Sequence, residues 1–176
     1  MTGLVALGSD LGDRLAALRA GIEGMTRRGM DVRALSSVWE TEPVDVPGSA
    51  GFLNMAAKIE VPEGTEPEAV LDRLAEIERE LGRGRHGRNA SRVLDLDLLV
   101  LGERIVSTDR LTLPHPRMWS RRFVLAPLAE IVPELRDPRT GRTVVETLAS
   151  LPDRPWARNA GPLAPRERAP VYSGRL

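Results

Sequence analysis

The sequence predicts an α+β domain: a largely antiparallel sheet with helices on one face. Three observations predict it. Segments of apolar period 2 and period 3.6 follow one another between Leu4 and Leu101 in the order strand, helix, strand, strand, helix, strand. Phe52–Val61 alternates cleanly, with Leu53, Met55, Ala57, Ile59 and Val61 on one face and Phe52, Asn54, Ala56, Lys58 and Glu60 on the other. Arg92–Leu101 alternates as well, with Leu94, Leu96, Leu98 and Val100 opposite Asp95 and Asp97. That order is the split βαβ arrangement, a ferredoxin-like βαββαβ core, followed here by C-terminal helical additions.

Each element has its own signals. Leu4–Leu7 is a short apolar run closed by Gly8-Ser9-Asp10, a strand and turn. Leu15, Leu18, Ile22 and Met25 recur at helical spacing, with Asp10 or Asp13 at the start and Gly29 past the end. Asp31–Thr41 reads as one extended segment, and Glu42–Gly51, with Pro43, Pro47 and Gly48, as a long loop. Thr65-Glu66-Pro67-Glu68 has the form of a capping box with proline in the first turn. The helix it opens carries Val70, Leu71, Leu74, Ile77 and Leu81 on one face and stops at Gly82. Gly102-Glu103 is expected to fold the Asp95/Asp97 strand back on Arg104–Val106. Arg121–Val132 is expected to be helical, with Pro127 as a kink or break, and Val144–Leu151 a further short helix. Five prolines from Pro152 onward and little periodicity make the rest read as irregular. The expected division is therefore a domain over 1–151 and a Pro-rich extension over 152–176.

Composition excludes several classes. At 176 residues the chain is long enough for one domain with a real core. With no cysteine, neither a disulfide framework nor a thiolate metal site is possible. Net charge is zero, which argues against a general nucleic-acid binder. The N-terminus lacks the basic segment and apolar length of a signal peptide. No stretch approaches the apolar length of a membrane helix. The expectation is a cytoplasmic protein whose partners include neither membrane nor nucleic acid.

Charge is informative where it clusters. Asp95 and Asp97 project from the same side of a strand, roughly 6–7 Å apart. Their repulsion needs a cation or several donors to offset it, and a pair of Mg²⁺ ions bridged by carboxylates is one recurrent solution. Just upstream, Leu81–Arg92 holds four arginines, three glycines and no acid. Such a loop running into an acidic strand suggests a polyphosphate site. D-x-D by itself also describes an ordinary solvated strand face; the basic loop before it favours the metal. No G-x-x-x-x-G-K-[ST] occurs, so a P-loop is excluded. Phe52 sits on the strand face that a two-layer fold leaves exposed. A planar heterocycle to stack on would explain a ring there, and Asn54, two residues on, offers a donor and an acceptor to its edge. His115, between Pro114 and Pro116, suits a structural role as well as a phosphate contact.

Five stretches in order, L-G-S-D-L-G-D-R (Leu7–Arg14), S-S-V-W-E-T-E-P-V (Ser36–Val44), F-L-N-M-A (Phe52–Ala56), R-V-L-D-L-D-L-L (Arg92–Leu99) and L-T-L-P-H-P-R-M-W-S-R-R-F (Leu111–Phe123), resemble the 6-hydroxymethyl-7,8-dihydropterin pyrophosphokinases of folate biosynthesis. The resemblance covers roughly residues 3–150. It implies transfer of the terminal diphosphate of ATP to the pterin hydroxymethyl group, with release of AMP. It implies Asp95 and Asp97 as ligands of two Mg²⁺ ions, and Arg83, Arg85 and Arg92 as phosphate-handling arginines in a loop that closes over ATP. Arg110, His115 and Arg121 would surround the triphosphate. Phe52 and Phe123 would sandwich the pterin, Asn54 would read its edge, and Thr41, Pro43 and Val44 would line its pocket. Catalysis would fall to Asp95, Asp97, Arg83 and Arg92. The candidate partners beyond these small molecules are neighbouring folate-pathway enzymes. The chain departs from the family pattern at Asp10, at Asn89-Ala90-Ser91, at Val93 and at Pro116. Two other readings compete. A D-x-D glycosyltransferase would need a larger nucleotide-binding domain, and a ferredoxin-like RNA-binding module would need more exposed aromatics and a basic face.

Overall fold

The computed structural model describes residues 1–42, 51–82 and 93–163. Its centre is a six-stranded sheet. Strands β1 (Thr2–Ser9), β2 (Asp31–Leu35), β3 (Val38–Thr41), β4 (Phe52–Glu60) and β5 (Asp95–Leu101) are joined in it by β8 (Ala157–Gly161). A separate two-stranded ribbon pairs β6 (Val106–Ser107) with β7 (Thr112–Leu113). The order across the main sheet is β5-β1-β4-β3-β8, with β2 also paired to β4, and every pairing is antiparallel.

Helices α1 (Arg14–Arg27) and α2 (Pro67–Glu80) cover one face, as the βαββαβ order requires. Leu18 and Met25 of α1 and Val70, Leu74 and Ile77 of α2 pack on Leu53, Met55, Ala57 and Ile59 and on Leu94, Leu96 and Leu98. The two helices approach closely because small residues let them. A Cβ on Gly24 would come within 2.9 Å of the Ile77 side chain. Asp13, not Asp10, caps α1, its carboxylate accepting from the Ala16 amide.

The opposite face is not left to solvent. Helices α3 (Arg122–Ile131) and α4 (Val144–Ser150), with the 3-10 turn Met118–Ser120, build a second core there with Leu4, Ala56 and Leu99. Exposure of the Phe52 face is thus corrected: Ala56 is buried beneath these C-terminal additions and Phe52 is half-buried.

Other expectations change for local reasons. Asp31–Thr41 is two strands, because Ser36 interrupts it; its amide donates to the Ala56 carbonyl (2.9 Å) and its Oγ accepts from the Ala56 amide (2.8 Å). The Thr65 capping box does not form. Thr65 Oγ1 donates to the Pro62 carbonyl, and Glu66 holds the cap position without a side-chain bond. A capping box does occur at Thr143/Glu146, opening α4. The ribbon strand β6 pairs with β7 rather than folding back on β5. Within β5 the partner of Leu4 is Val100 and that of Val5 is Leu98, so Leu99 is an extra, bulged residue. The bulge returns Leu101 to the first core and turns Leu99 and Val100 to the second, against the simple alternation. Helix α3 runs through Pro127 without a break. Residues 157–161, expected to be irregular, form the edge strand β8.

Candidate active site

Register decides which side chains meet. Asp95 on β5 lies opposite Gly8 on β1, and Gly8 lies opposite Asn54 on β4. Residues directly opposite in an antiparallel pair share a face. Asp95 and Asn54 therefore point the same way, two strands and roughly 9–10 Å apart. The glycine between them leaves a notch: a Cβ at Gly8 would come within 3.1 Å of Asn54 Oδ1. One step along the strands, Asp97 lies opposite Ala6, and Ala6 opposite Ala56, again small residues. Asp97 keeps a side-chain exposure of 39 %.

The acidic pair is fixed from behind and from its start. Glu78 of α2 is 3 % exposed, and its Oε1 accepts from the amide of Leu96, the residue between the two aspartates (2.8 Å). Ser9 Oγ donates to the Val93 carbonyl (2.6 Å), holding the entry to β5.

On the β4 side, Asn54 is 7 % exposed. Its Nδ2 donates to Thr41 Oγ1 at 2.7 Å, which sets the amide's orientation. Phe52 pairs with Thr41 in register, so its ring shares the face of Asn54. Gly51, at a φ of 79° that favours glycine, offers its carbonyl to Arg14 Nη1 (2.9 Å).

The second layer supplies the remaining groups. Arg121 caps the start of α3; its Nη1 lies 3.9 Å from Asp97 Oδ2, and its guanidinium stands 5.3 Å from the Phe123 ring centroid. It thus links the acidic pair to a candidate pterin ring. His115 is anchored by its amide, which donates to the Leu99 carbonyl at 2.8 Å, at the bulge of β5. Its Nδ1 accepts from the Arg117 amide (3.3 Å), which assigns the proton to Nε2. Burial lowers the His115 pKa; Asp97 pulls it up, and Arg121 and Arg117 push it down again. The net direction is down, so the imidazole is neutral at pH 7. Burial, followed by Arg117, also lowers the Arg121 pKa, against the pull of Asp97 and Asp95.

Asp95, Asp97, Asn54, Thr41, Phe52, Phe123, His115 and Arg121 are thus all described. Arg110 points elsewhere, its guanidinium paired with Asp72 of α2. Arg83, Arg85, Arg92, Pro43 and Val44 lie outside the described residues. Sequence reasoning passed over Gly8, Ser9, Arg14 and Glu130. The first three stand inside the quoted L-G-S-D-L-G-D-R run, where their roles depend on strand register. Glu130 accepts from the Ser37 amide and the Trp39 indole and so ties α3 to β3.

Among the described residues, no group of three or more His, Asp or Glu side chains could hold a metal ion. Two carboxylates on one strand face are a donor set that Mg²⁺ can take, since it binds one or two carboxylates and completes its shell with water and substrate phosphates.

An open antiparallel sheet layered by helices on both faces, with an acidic pair and a buried amide sharing one face, defines the class, an α+β domain. Residues 4–133 match the family described as 7,8-dihydro-6-hydroxymethylpterin-pyrophosphokinase (HPPK). The 2-amino-4-hydroxy-6-hydroxymethyldihydropteridine pyrophosphokinase of Bacillus subtilis (strain 168) is 41% identical over 137 residues, covering 77% of this chain and 81% of that one. The Synechocystis protein of the same name is 34% identical over 171 residues, 93% of this chain and 86% of its own. A mitochondrial folate synthesis bifunctional protein of Arabidopsis thaliana is 40% identical over 129 residues, 73% of this chain but 23% of its own length. Among solved structures, a Plasmodium falciparum HPPK-DHPS triple mutant superposes with a TM-score of 0.66 at 11% identity, covering 84% of this chain and 42% of that one. That likeness shows the fold alone. The chain belongs to the 7,8-dihydro-6-hydroxymethylpterin-pyrophosphokinase family, and it is a pyrophosphokinase, an ATP-dependent diphosphotransferase of folate synthesis.

Proposed function

We infer that this chain transfers the diphosphate of ATP to the hydroxymethyl group of 6-hydroxymethyl-7,8-dihydropterin, releasing AMP. The observation that carries the reading is the shared face: Asp95 and Asp97 stand one glycine- and alanine-bearing strand away from Asn54, with Arg121 and Phe123 of the second layer above them. Asp95 and Asp97 would hold two Mg²⁺ ions, which would supply Lewis-acid chemistry and neutralise phosphate charge. Asn54 would pair with the pterin edge through the amide atoms that Thr41 leaves available, and Phe52 and Phe123 would stack on its faces. Arg121 would share its charge between Asp97 and the triphosphate, and neutral His115 would donate from Nε2. Arg83, Arg85 and Arg92 are assigned to the phosphates by family resemblance. Arg110 joins them in that assignment and would exchange Asp72 for phosphate.

Transfer of this kind needs in-line positioning and charge neutralisation more than covalent help, and two substrates held side by side on one rigid sheet provide the first. The reading also places the protein in the cytoplasm, beside other enzymes of folate synthesis. A relative named as a folate synthesis bifunctional protein supports the second half of that reading, the neighbouring enzymes. The test is direct. The protein is incubated with ATP, Mg²⁺ and the hydroxymethyldihydropterin, and AMP is followed together with the pterin diphosphate. Both products in equal amounts support the reading. AMP or ADP without pterin diphosphate overturns it.

A further inference from the structure

Strand β8 lies beyond the region matched by the family, residues 4–133, yet it is built into the side of the sheet that carries the pterin groups. It pairs with β3 in the register Glu40↔Arg158 and Thr41↔Ala157. Thr41 is the residue whose hydroxyl orients Asn54. The chain before β8 grips the next residue, Glu42, three times. The Glu42 amide donates to the Trp156 carbonyl (3.1 Å), the Trp156 amide donates to Glu42 Oε2 (3.2 Å), and Arg154 Nη1 pairs with Glu42 Oε1 (2.9 Å). Glu130 joins the layers behind this contact, one oxygen accepting from both Trp39 Nε1 (2.8 Å) and Asn159 Nδ2 (2.9 Å). Past the strand, Leu163 packs against the first core.

We propose that this C-terminal segment, Arg154–Leu163, is a positioning element for pterin recognition: by pairing with β3 and gripping Glu42 it fixes Thr41, and through Thr41 the Asn54 amide. The physical case is simple. Without β8, β3 is a four-residue edge strand whose outer amides and carbonyls have no ladder partner. Its last residue, Thr41, would carry a recognition group on the least constrained end of the sheet. An amide that must present a fixed donor and acceptor pattern loses selectivity when its orienting hydroxyl moves. Asp95 and Asp97 are at the far side of the sheet, on β5, and are held by Glu78 and β1 instead. The segment should therefore act on one substrate only.

This inference rests on the proposed reaction, and the experiment separates the two. In the full-length protein, Arg154→Ala removes the ion pair, Arg154→Lys keeps a cation there, and Arg158→Pro breaks the β8 ladder. For each, KM for the pterin, KM for ATP, kcat and thermal midpoint are measured beside the parent protein. Amide exchange over residues 38–42 and 52–56 is measured without substrates. The expected result is a pterin KM raised at least tenfold in Arg158→Pro and severalfold in Arg154→Ala. Arg154→Lys should recover most of the loss, ATP KM should change less than twofold, and exchange should be faster at 38–42. Equal changes in both KM values, or unchanged exchange and unchanged pterin KM in Arg158→Pro, overturn the proposal. If Arg158→Pro fails to fold, the Arg154→Ala and Arg154→Lys pair decides by the same KM split. A parent protein that turns over no pterin overturns the reaction assigned above, and the exchange data then judge the bracing of β3 by themselves.

Discussion

Removing the Glu78 carboxylate should both destabilise the protein and slow it. Glu78 is buried on α2, and its Oε1 meets the Leu96 amide at 2.8 Å. In Glu78→Ala that amide remains buried without this acceptor, which costs about 1–3 kcal/mol. For a chain of this size each kcal/mol moves the thermal midpoint by about 2–4 °C, so a fall of about 4–8 °C is expected for a loss near 2 kcal/mol. Glu78→Gln keeps an oxygen acceptor at the same reach and should lose less than the alanine variant. The bond is made to the residue between Asp95 and Asp97, so the alanine variant should also lose kcat at saturating substrates, by about tenfold or more, a loss that added Mg²⁺ relieves only in part. The assays are thermal unfolding and steady-state kinetics across a Mg²⁺ series. A midpoint within about 1 °C of the parent, with kcat unchanged, would show that the Leu96 amide finds another partner and that β5 holds its carboxylates without help from α2.

The remaining predictions use other parts of the structure. Asp95→Ala and Asp97→Ala should each abolish AMP release with little change in thermal midpoint, because Leu94, Leu96 and Leu98 around the pair pack in the first core and Asp97 keeps 39 % exposure; turnover above a few per cent of the parent would refute the metal assignment. Phe52→Ala and Phe123→Ala should weaken pterin binding about tenfold, from roughly 0.5–1.5 kcal/mol of stacking per ring plus lost contact area, and leave ATP binding nearly intact; calorimetry with each ligand separately checks this. Gly24→Ala should destabilise, since its Cβ would lie 2.9 Å from the fully packed Ile77. The overpacking cost of about 1–3 kcal/mol is offset by up to about 1 kcal/mol of helix propensity, and urea unfolding reads the net loss. Burial pushes the Asp137 carboxyl up, but hydrogen bonds from the Arg139 amide and guanidinium, the Arg139 charge and the Thr140 hydroxyl outweigh it and hold the pKa below the ordinary 3.8. A depressed carboxylate contributes stability above its unfolded pKa and loses it as pH falls through the folded value. Asp137→Asn should therefore lower stability at neutral pH and flatten its decline below about pH 4, measured by chemical unfolding across an acid series.

How far the sequence showed all this depends on the range of the interactions. Strand β4 and helices α1 and α2 were legible because their signals are periodic and local: Leu53, Met55, Ala57 and Ile59 alternate, and Val70, Leu74 and Ile77 recur at helical spacing. The Asp95/Asp97 pair was legible for the same reason. What the local pattern could not show was register. Gly8 separates Asp95 from Asn54 only because β1 pairs with both neighbours at that residue. Leu99 breaks the alternation of β5 as an extra residue between the partners of Leu4 and Val5, and its carbonyl receives the His115 amide from another element. Phe52 looked exposed because a βαββαβ order alone provides only one helical layer. The second depends on how residues 118–150 return across the sheet. Strand β8 gave still less sign of itself. Its residues, Ala157-Arg158-Asn159-Ala160-Gly161, include no β-branched or aromatic side chain and no apolar alternation. Its place in the sheet comes from backbone bonds to β3, from the Arg158 guanidinium over the Trp156 ring at 4.8 Å, and from Arg154 and Asn159 reaching acids more than twenty residues away in sequence. A strand held in that way has no period to detect. It becomes visible only when Glu42 and Glu130, its two acceptors, are already in place.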